Sequence, residues 1–247
     1  MSAPFLILET GRPVPSMRRH GRFPHWIRTA AGLGRDEAVV VDVAGLEGDG
    51  GDALPTSEGF AGVIVTGSGA MVTERREWSE RGAAWLRETA RAGVPVFGIC
   101  YGHQLLAHAL GGEVGDNPRG REMGTVEIEL AAPSAEDALF AGLPARFRAQ
   151  ATHLQTVLRA PEGATLLAAS ARDGCHAFRW GERAWGVQFH PEFSAMHMRG
   201  YVRARADALV REGLDPHALS RTISATPHAR RVLGRFVRRA RALSVAS

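Results

Sequence analysis

The run Val94-Pro95-Val96-Phe97-Gly98-Ile99-Cys100-Tyr101-Gly102-His103-Gln104 decides how this chain is read. Residues 94–99 are almost continuously apolar, as in a strand covered on both faces. A helical pattern follows at once: Leu105, Leu106, Ala109 and Leu110 share one face until Gly111-Gly112 ends them. Cys100 therefore falls on a sharp strand-to-helix turn, its side chain presented above the carboxyl edge of a sheet in the manner of a nucleophile elbow. Gly98 and Gly102 stand two positions to either side, where a missing Cβ lets the arms of the turn pass closely. A thiol at a helix start faces unpaired N–H groups and the positive end of the helix dipole, which favours its thiolate.

Outward from this turn, residues 4–8, 38–43 and 60–65 read as three earlier strands, the second and third nearly all apolar and expected to be covered on both faces. Residues 78–91 read as a helix with Trp85, Leu86 and Thr89 toward the sheet, stopped by Gly93 and Pro95. Strand, helix, strand, helix predicts an α/β fold with a mainly parallel central sheet flanked by helices. Later, Val126, Ile128 and Leu130 alternate with Glu127 and Glu129, and residues 165–169, 175–180 and 185–189 read as short strands that form an antiparallel annex or extend the sheet edge. Helices are expected over 196–212 and 227–242. The expected organisation is one domain over residues 1–195 and a helical extension, 196–247, packed on it. Residues 45–59 read as an exposed Gly/Asp-rich loop, and the aromatic stretch 18–26 as a loop after the first strand, either shaping the mouth above the Cys100 turn or lying as an ordinary surface loop.

A thiol nucleophile needs a base. Of the ten histidines, His190 stands out: Trp185-Gly186-Val187-Gln188-Phe189 is a strand that ends in it, and Pro191 forces the chain away. Parallel to the nucleophile strand, it would bring His190 to the same rim. Glu192, two residues on, is placed to fold back and fix the imidazole tautomer. The Tyr101 N–H, just after the nucleophile, is the natural first donor to an oxyanion. The Gly67-Ser68-Gly69 loop after the third strand is the candidate second source. Cys175 follows Asp173-Gly174 with no comparable setting and reads as inert.

Other chemistries fit less well. His103 and His108 are five apart, a poor match to a zinc helix, and Gly67-Ser68-Gly69 lacks the lysine of a phosphate-binding loop. The chain of 247 residues contains no lysine, which excludes Schiff-base lysine chemistry, and its net charge of +4 rests on arginine. Seven arginines and no acid lie between Arg221 and Ser247, but Val232, Leu233, Phe236 and Val237 repeat there at helical spacing. A solvated amphipathic helix is the preferred reading, and no nucleic-acid or membrane partner is expected. No apolar run approaches the roughly 18 residues of a membrane span. The first residues read as a strand rather than a leader, and two cysteines suit a reduced, cytoplasmic setting.

Two motifs, Gly98-Ile99-Cys100-Tyr101-Gly102-His103-Gln104 and Gly186-Val187-Gln188-Phe189-His190-Pro191-Glu192, resemble those of the class I glutamine amidotransferases of the triad type. The resemblance is nearest to the glutaminase part of GMP synthase and its free-standing relatives. It implies a flavodoxin-like fold, a cysteine–histidine–glutamate triad of Cys100, His190 and Glu192, and an oxyanion held on the backbone of Ser68 and Tyr101. It implies Gly67, Gln104, His153 and Gln155 around the substrate, no metal and no cofactor. The reaction it implies is attack on a glutamine or γ-glutamyl amide, through a γ-glutamyl thioester, with release of ammonia or an amine. Two positions depart from the pattern. Gly67-Ser68-Gly69 replaces Gly-Gly-Pro, and in Thr152-His153-Leu154-Gln155 glutamine occupies the place of an aspartate. No acceptor-domain signature follows Glu192. Three roles therefore stand open: a glutaminase that feeds a separate synthase subunit in trans, a self-sufficient γ-glutamyl hydrolase, or a non-catalytic binding protein that kept the fold. The sequence does not fix the oligomeric state.

Overall fold

The apolar runs and the glycines that separate them set out a large sheet with helices on both sides. A computed structural model describes residues 3–45 and 54–245. The first half runs β1 (Phe5–Glu9), α1 (Phe23–Ala31), β2 (Ala38–Asp42), β3 (Gly62–Val65), α2 (Glu77–Arg91), β4 (Val96–Ile99) and α3 (Tyr101–Ala109). There follow β5 (Glu113–Asp116), β6 (Glu122–Leu130), β7 (Arg146–His153), β8 (Gln155–Arg159), β9 (Ala164–Ala169), β10 (Ala177–Trp180) and β11 (Ala184–Val187). The chain closes with α4 (Ala195–Ala204), α5 (Ala206–Arg211), α6 (Pro216–Thr222) and α7 (Pro227–Val245). Most of the Gly/Asp-rich loop expected at 45–59 lies outside the described residues.

The main sheet has the order β2-β1-β3-β4-β11-β10-β9-β6-β7. Its first five strands are mutually parallel and begin with the 2-1-3-4 order of flavodoxin-like sheets. The later strands extend the same sheet in antiparallel fashion. The pairing of β4 with β11 positions the Cys100 turn: it is parallel, with Ile99 opposite Val187, and the Cys100 N–H donates to the Val187 carbonyl. Both strands therefore discharge their chains at one rim.

Each face of the sheet has its own core. On one, α7 buries Val232, Leu233, Phe236 and Val237, and the Phe236 ring lies 5.0 Å from Phe97 and 6.4 Å from Phe5. On the other, Leu86 of α2 and Leu105 and Leu106 of α3 pack on Leu6, Val63 and Val96. A third cluster, with Phe23, Trp26, Phe193, Met198 and Tyr201, covers part of the carboxyl rim with α4.

Several expectations need correction. β2 is an edge strand, with Val39 44% and Val40 37% exposed; consecutive residues face opposite sides, so neither face of its apolar run is fully covered. The stretch 18–26 is not a loop: its Pro24 sits in the first turn of α1, where the missing N–H costs nothing, and Phe23, Trp26 and Ile27 are buried. Trp85 is only half-buried, its indole N–H donating to the Pro55 carbonyl, whereas Leu86 and Thr89 are buried. The helix expected over 196–212 breaks at Arg205, whose ψ of 13° ends α4 and starts α5.

The turn at Cys100 is sterically exacting. A Cβ on Gly98 would lie 2.4 Å from the Gly102 carbonyl oxygen, and one on Gly102 would lie 2.5 Å from that of Val65. Both obstacles are backbone and cannot swing away. Gly98→Ala is expected to lower unfolding free energy by at least about 2 kcal/mol, read from urea denaturation. A variant as stable as the wild type would contradict the packing described for this turn.

Candidate active site

Cys100 occupies the turn with φ 52° and ψ −102°, a left-handed conformation rarely tolerated by a side chain. The surrounding backbone imposes it. The Cys100 N–H is tied to β11, the Gly102 N–H donates to the Thr66 carbonyl, and the Gln104 N–H donates to the Cys100 carbonyl. The thiol is buried, with 6% of the residue exposed. Being first in α3, Tyr101 has an N–H without an intrahelical acceptor. The Gly67-Ser68-Gly69 loop lies against the same turn. A Cβ on Gly67 would lie 3.0 Å from the His190 ring and 3.7 Å from the Cys100 Cβ, so this glycine sits between the two groups.

His190 is held on two sides. Its Nδ1 donates to Glu192 Oε1 at 2.8 Å, and Phe193 stacks on the ring at 4.1 Å. A carboxylate only accepts, so the proton sits on Nδ1 and leaves Nε2, which has no hydrogen-bond partner, to serve the thiol. Burial pulls His190 down, but Glu192 and the Cys100 thiolate outweigh it and push the imidazole up to about 10. Burial pushes the Cys100 thiol up, yet attraction to His190 wins and the thiol falls below its ordinary value. Each group thus favours the charged form of the other, thiolate for Cys100 and imidazolium for His190.

His153 is also buried. Its Nε2 faces Glu122 Oε2 at 3.0 Å and its Nδ1 faces the Gln155 carbonyl at 3.0 Å. Both partners are acceptors, so His153 carries both protons and is a cation. Burial opposes this, but the Glu122 hydrogen bond and nearby Asp173 hold His153 above its usual value. His176 Nε2 donates to the same Glu122 oxygen at 2.6 Å. Against the cost of burial, these two imidazoles hold Glu122 well below the carboxylate range. Glu122, His153 and His176 have the spacing of a metal site, their ligand atoms lying within 4.8 Å of one another, but their hydrogen bonds already account for that arrangement. His103 is fully buried, and burial holds it down at about 3, hence neutral.

Two clefts reach Cys100. The first is lined by Cys100, Tyr101, Gln104, His153, Gln155 and Arg121, among others. The second is lined by Cys100, His190, Arg18, Tyr201, Arg205 and Phe23, among others. Ser68, Gly69, Thr152 and Arg205 border both. Gln104 does not offer a free amide N–H: its Nε2 donates to the Gln155 carbonyl at 2.7 Å and to Gln188 Oε1 at 2.8 Å. Gln155 donates to Thr73 Oγ1 and to Asp116 Oδ1 of β5, so its amide N–H groups are turned to these partners. Arg18 and Phe23 of the stretch 18–26 reach the second cleft, whereas Asp116, Arg121 and Arg205 were not singled out in the sequence. No motif marks them, and arginine is too common here to point to particular positions. Cys175, a free thiol pushed up to about 12 by burial and Asp173, lies outside both clefts.

The chain is similar to known proteins in sequence and in fold. Residues 51–204 match the family described as Glutamine amidotransferase class-I. A GMP synthase (glutamine-hydrolysing) of Aeropyrum pernix is 40% identical over 142 residues, covering 58% of this chain and 25% of that protein. The chain thus spans about a quarter of the length of this curated relative. A glutamine amidotransferase from Thermotoga maritima superposes with a TM-score of 0.74 at 22% identity, over 98% of this chain and 99% of that one. A putative GMP synthase subunit protein from Thermoplasma acidophilum gives 0.63 at 17% identity, over 98% and 97%.

Two measurements follow from the charges. The ultraviolet absorbance of the Cys100 thiolate is expected to appear below the ordinary thiol value of 9.0 and, in His190→Ala, to move upward, because the largest opposition to burial is gone and only the weaker attraction of His153 remains. An unshifted titration would contradict the ion pair, and Cys175 does not interfere in that range. Glu122→Ala should cost about 3–5 kcal/mol of stability by stranding buried His153. Because the folded-state pKa of Glu122 is depressed, its contribution is full above the unfolded value of 4.5 and lost as pH falls below it. A pH-independent difference between wild type and variant would count against this assignment.

Proposed function

The chain belongs to the class-I glutamine amidotransferase family, and on that premise we propose that it hydrolyses a glutamine-type γ-amide through a covalent intermediate on Cys100. The observation that carries this reading is that two parallel strands bring Cys100 and His190 to one rim, with Glu192 hydrogen-bonded to the imidazole and each reactive group favouring the charged form of the other. Cys100 Sγ attacks the amide carbon, and the oxyanion is received by the backbone N–H groups of Tyr101 and Ser68. His190 Nε2–H gives its proton to the departing nitrogen, the C–N bond breaks, and ammonia or an amine leaves. The γ-glutamyl thioester then takes up water, which His190 deprotonates, and glutamate is released with the thiol restored. Gln104, His153 and Gln155 shape the glutamyl end of the first cleft, while Gly67 keeps the space between Cys100 and His190 open.

Residues 1–195 form the hydrolytic unit in this reading, and 196–247 an extension that helps enclose it. The aligned part of the Aeropyrum relative and the name of the Thermoplasma neighbour support a glutaminase that hands ammonia to a separate synthase subunit. The second cleft at Cys100 favours another outcome, a self-sufficient hydrolase of γ-glutamyl compounds. No described helix is long and apolar enough to cross a membrane. The two free thiols suit a reducing cytoplasm.

Release of ammonia from glutamine, or of glutamate from a γ-glutamyl amide, tests the reading. Cys100→Ala should remove activity by about a thousandfold or more while circular dichroism stays native. His190→Ala should lose about a hundredfold or more, and Glu192→Ala less than either. Full turnover by Cys100→Ala would refute covalent catalysis at this residue.

A further inference from the structure

We propose that the second cleft is a leaving-group subsite for an anionic amine, so that the preferred substrate is a γ-glutamyl amide whose amine bears a carboxylate, as in a γ-glutamyl amino acid. This rests on the hydrolase reading above and adds which amide is cut.

The side of the departing nitrogen is set by its proton source. The imidazole that protonates the leaving group must border the space the leaving group occupies. His190 lines the second cleft and not the first. The glutamyl half therefore belongs among Gln104, His153 and Gln155, and the amine half between His190, Tyr201 and the segment that follows β1. That second space measures about 210 Å³. One water takes roughly 30 Å³ of liquid, so the space exceeds what ammonia requires.

Its charge is one-sided. Arg12, on its wall, is neutralised by Glu9 at 2.8 Å and by Asp42. Arg18 and Arg205 are not: among the described residues no carboxylate forms an ion pair with either. Arg18 uses Nε on the Pro13 carbonyl at 3.1 Å, which leaves its terminal nitrogens for another acceptor. Arg205 Nε is buried without a partner, an expensive arrangement for a cation unless a ligand completes it. Arg121, the other guanidinium of the first cleft, is held in a two-pronged bond by Glu212, with Nε at 2.7 Å and an Nη at 2.9 Å. The local fold aims Arg205 inward: it is the break between α4 and α5, immediately beyond the 51–204 stretch shared with the family. Two unpaired guanidiniums beside the general acid fit a carboxylate on the departing amine. A neutral ammonia molecule gives them nothing to bind.

The experiment compares γ-glutamylglycine with γ-glutamylmethylamide, which differ by the carboxylate on the amine, in wild type, R18Q and R205Q, with glutamate release as the readout. The wild type should favour the glycine conjugate in kcat/KM by about tenfold or more, and each substitution should erase most of that ratio. Taking the ratio within one variant cancels any general damage to the site. A wild-type ratio near one, a ratio unmoved by both substitutions, or turnover of glutamine without turnover of the glycine conjugate would overturn the proposal. Should no amide be cleaved, the hydrolase reading fails separately. The subsite is then read from alkylation of Cys100, where iodoacetate should outpace iodoacetamide relative to free cysteine and the advantage should fall in R205Q. Equal relative rates in wild type and variant would reject it.

Discussion

The turn between β4 and α3 governs the rest of the molecule. Cys100 is held at φ 52° because three backbone hydrogen bonds fix the residues around it and because two glycines let three chain segments meet at van der Waals contact. Backbone strain of this kind persists only where the surroundings over-determine it. Here the surroundings are the parallel pairing of β4 with β3 and β11, each a buried apolar strand that cannot slip register without exposing its side chains. The result is a thiol at the first turn of a helix, at the sheet edge where ligands collect in folds of this order.

Around that turn, each buried charge is matched by an opposite one. His190 is compensated by Glu192 and stacked by Phe193. His153 and His176 share Glu122, which in turn accepts from Ser170. Such pairs contribute little net stability, but removing one partner strands a buried ion. Their effect is to fix which nitrogen carries a proton and which imidazole is a cation. Arg18 and Arg205 stand outside this compensation, as groups that recognise a ligand do in the absence of that ligand.

Much of this was legible in the sequence. The parallel half of the sheet announced itself through continuous apolar runs, and the Cys100 turn through Gly98, Gly102 and the abrupt onset of helical spacing. His190 and Glu192 were legible because a strand ending against a proline has a defined exit. β7 was not: Arg146 and Arg148 interrupt its pattern, and its burial comes from pairing with β6 and packing against α7. β5 and β8 form a small separate ribbon with too few apolar residues to show a period. α1 was hidden by its flanking basic and aromatic residues, and β2 was misread because a run of valines does not reveal that a strand lies at an edge. At the site, the residues fixed by motif were legible and Arg18 was reached through the stretch 18–26, whereas Arg121 and Arg205 arrive through tertiary structure alone.

The central claim is that Cys100 forms a bond to the acyl half of its substrate. Acid quenching during turnover of glutamine or a γ-glutamyl amide, followed by peptide mass mapping, tests it most directly. A γ-glutamyl adduct is expected on the peptide containing Cys100 and none on the one containing Cys175. Steady turnover with no adduct trapped even when the second step is slowed, or an adduct on any other residue, would contradict it.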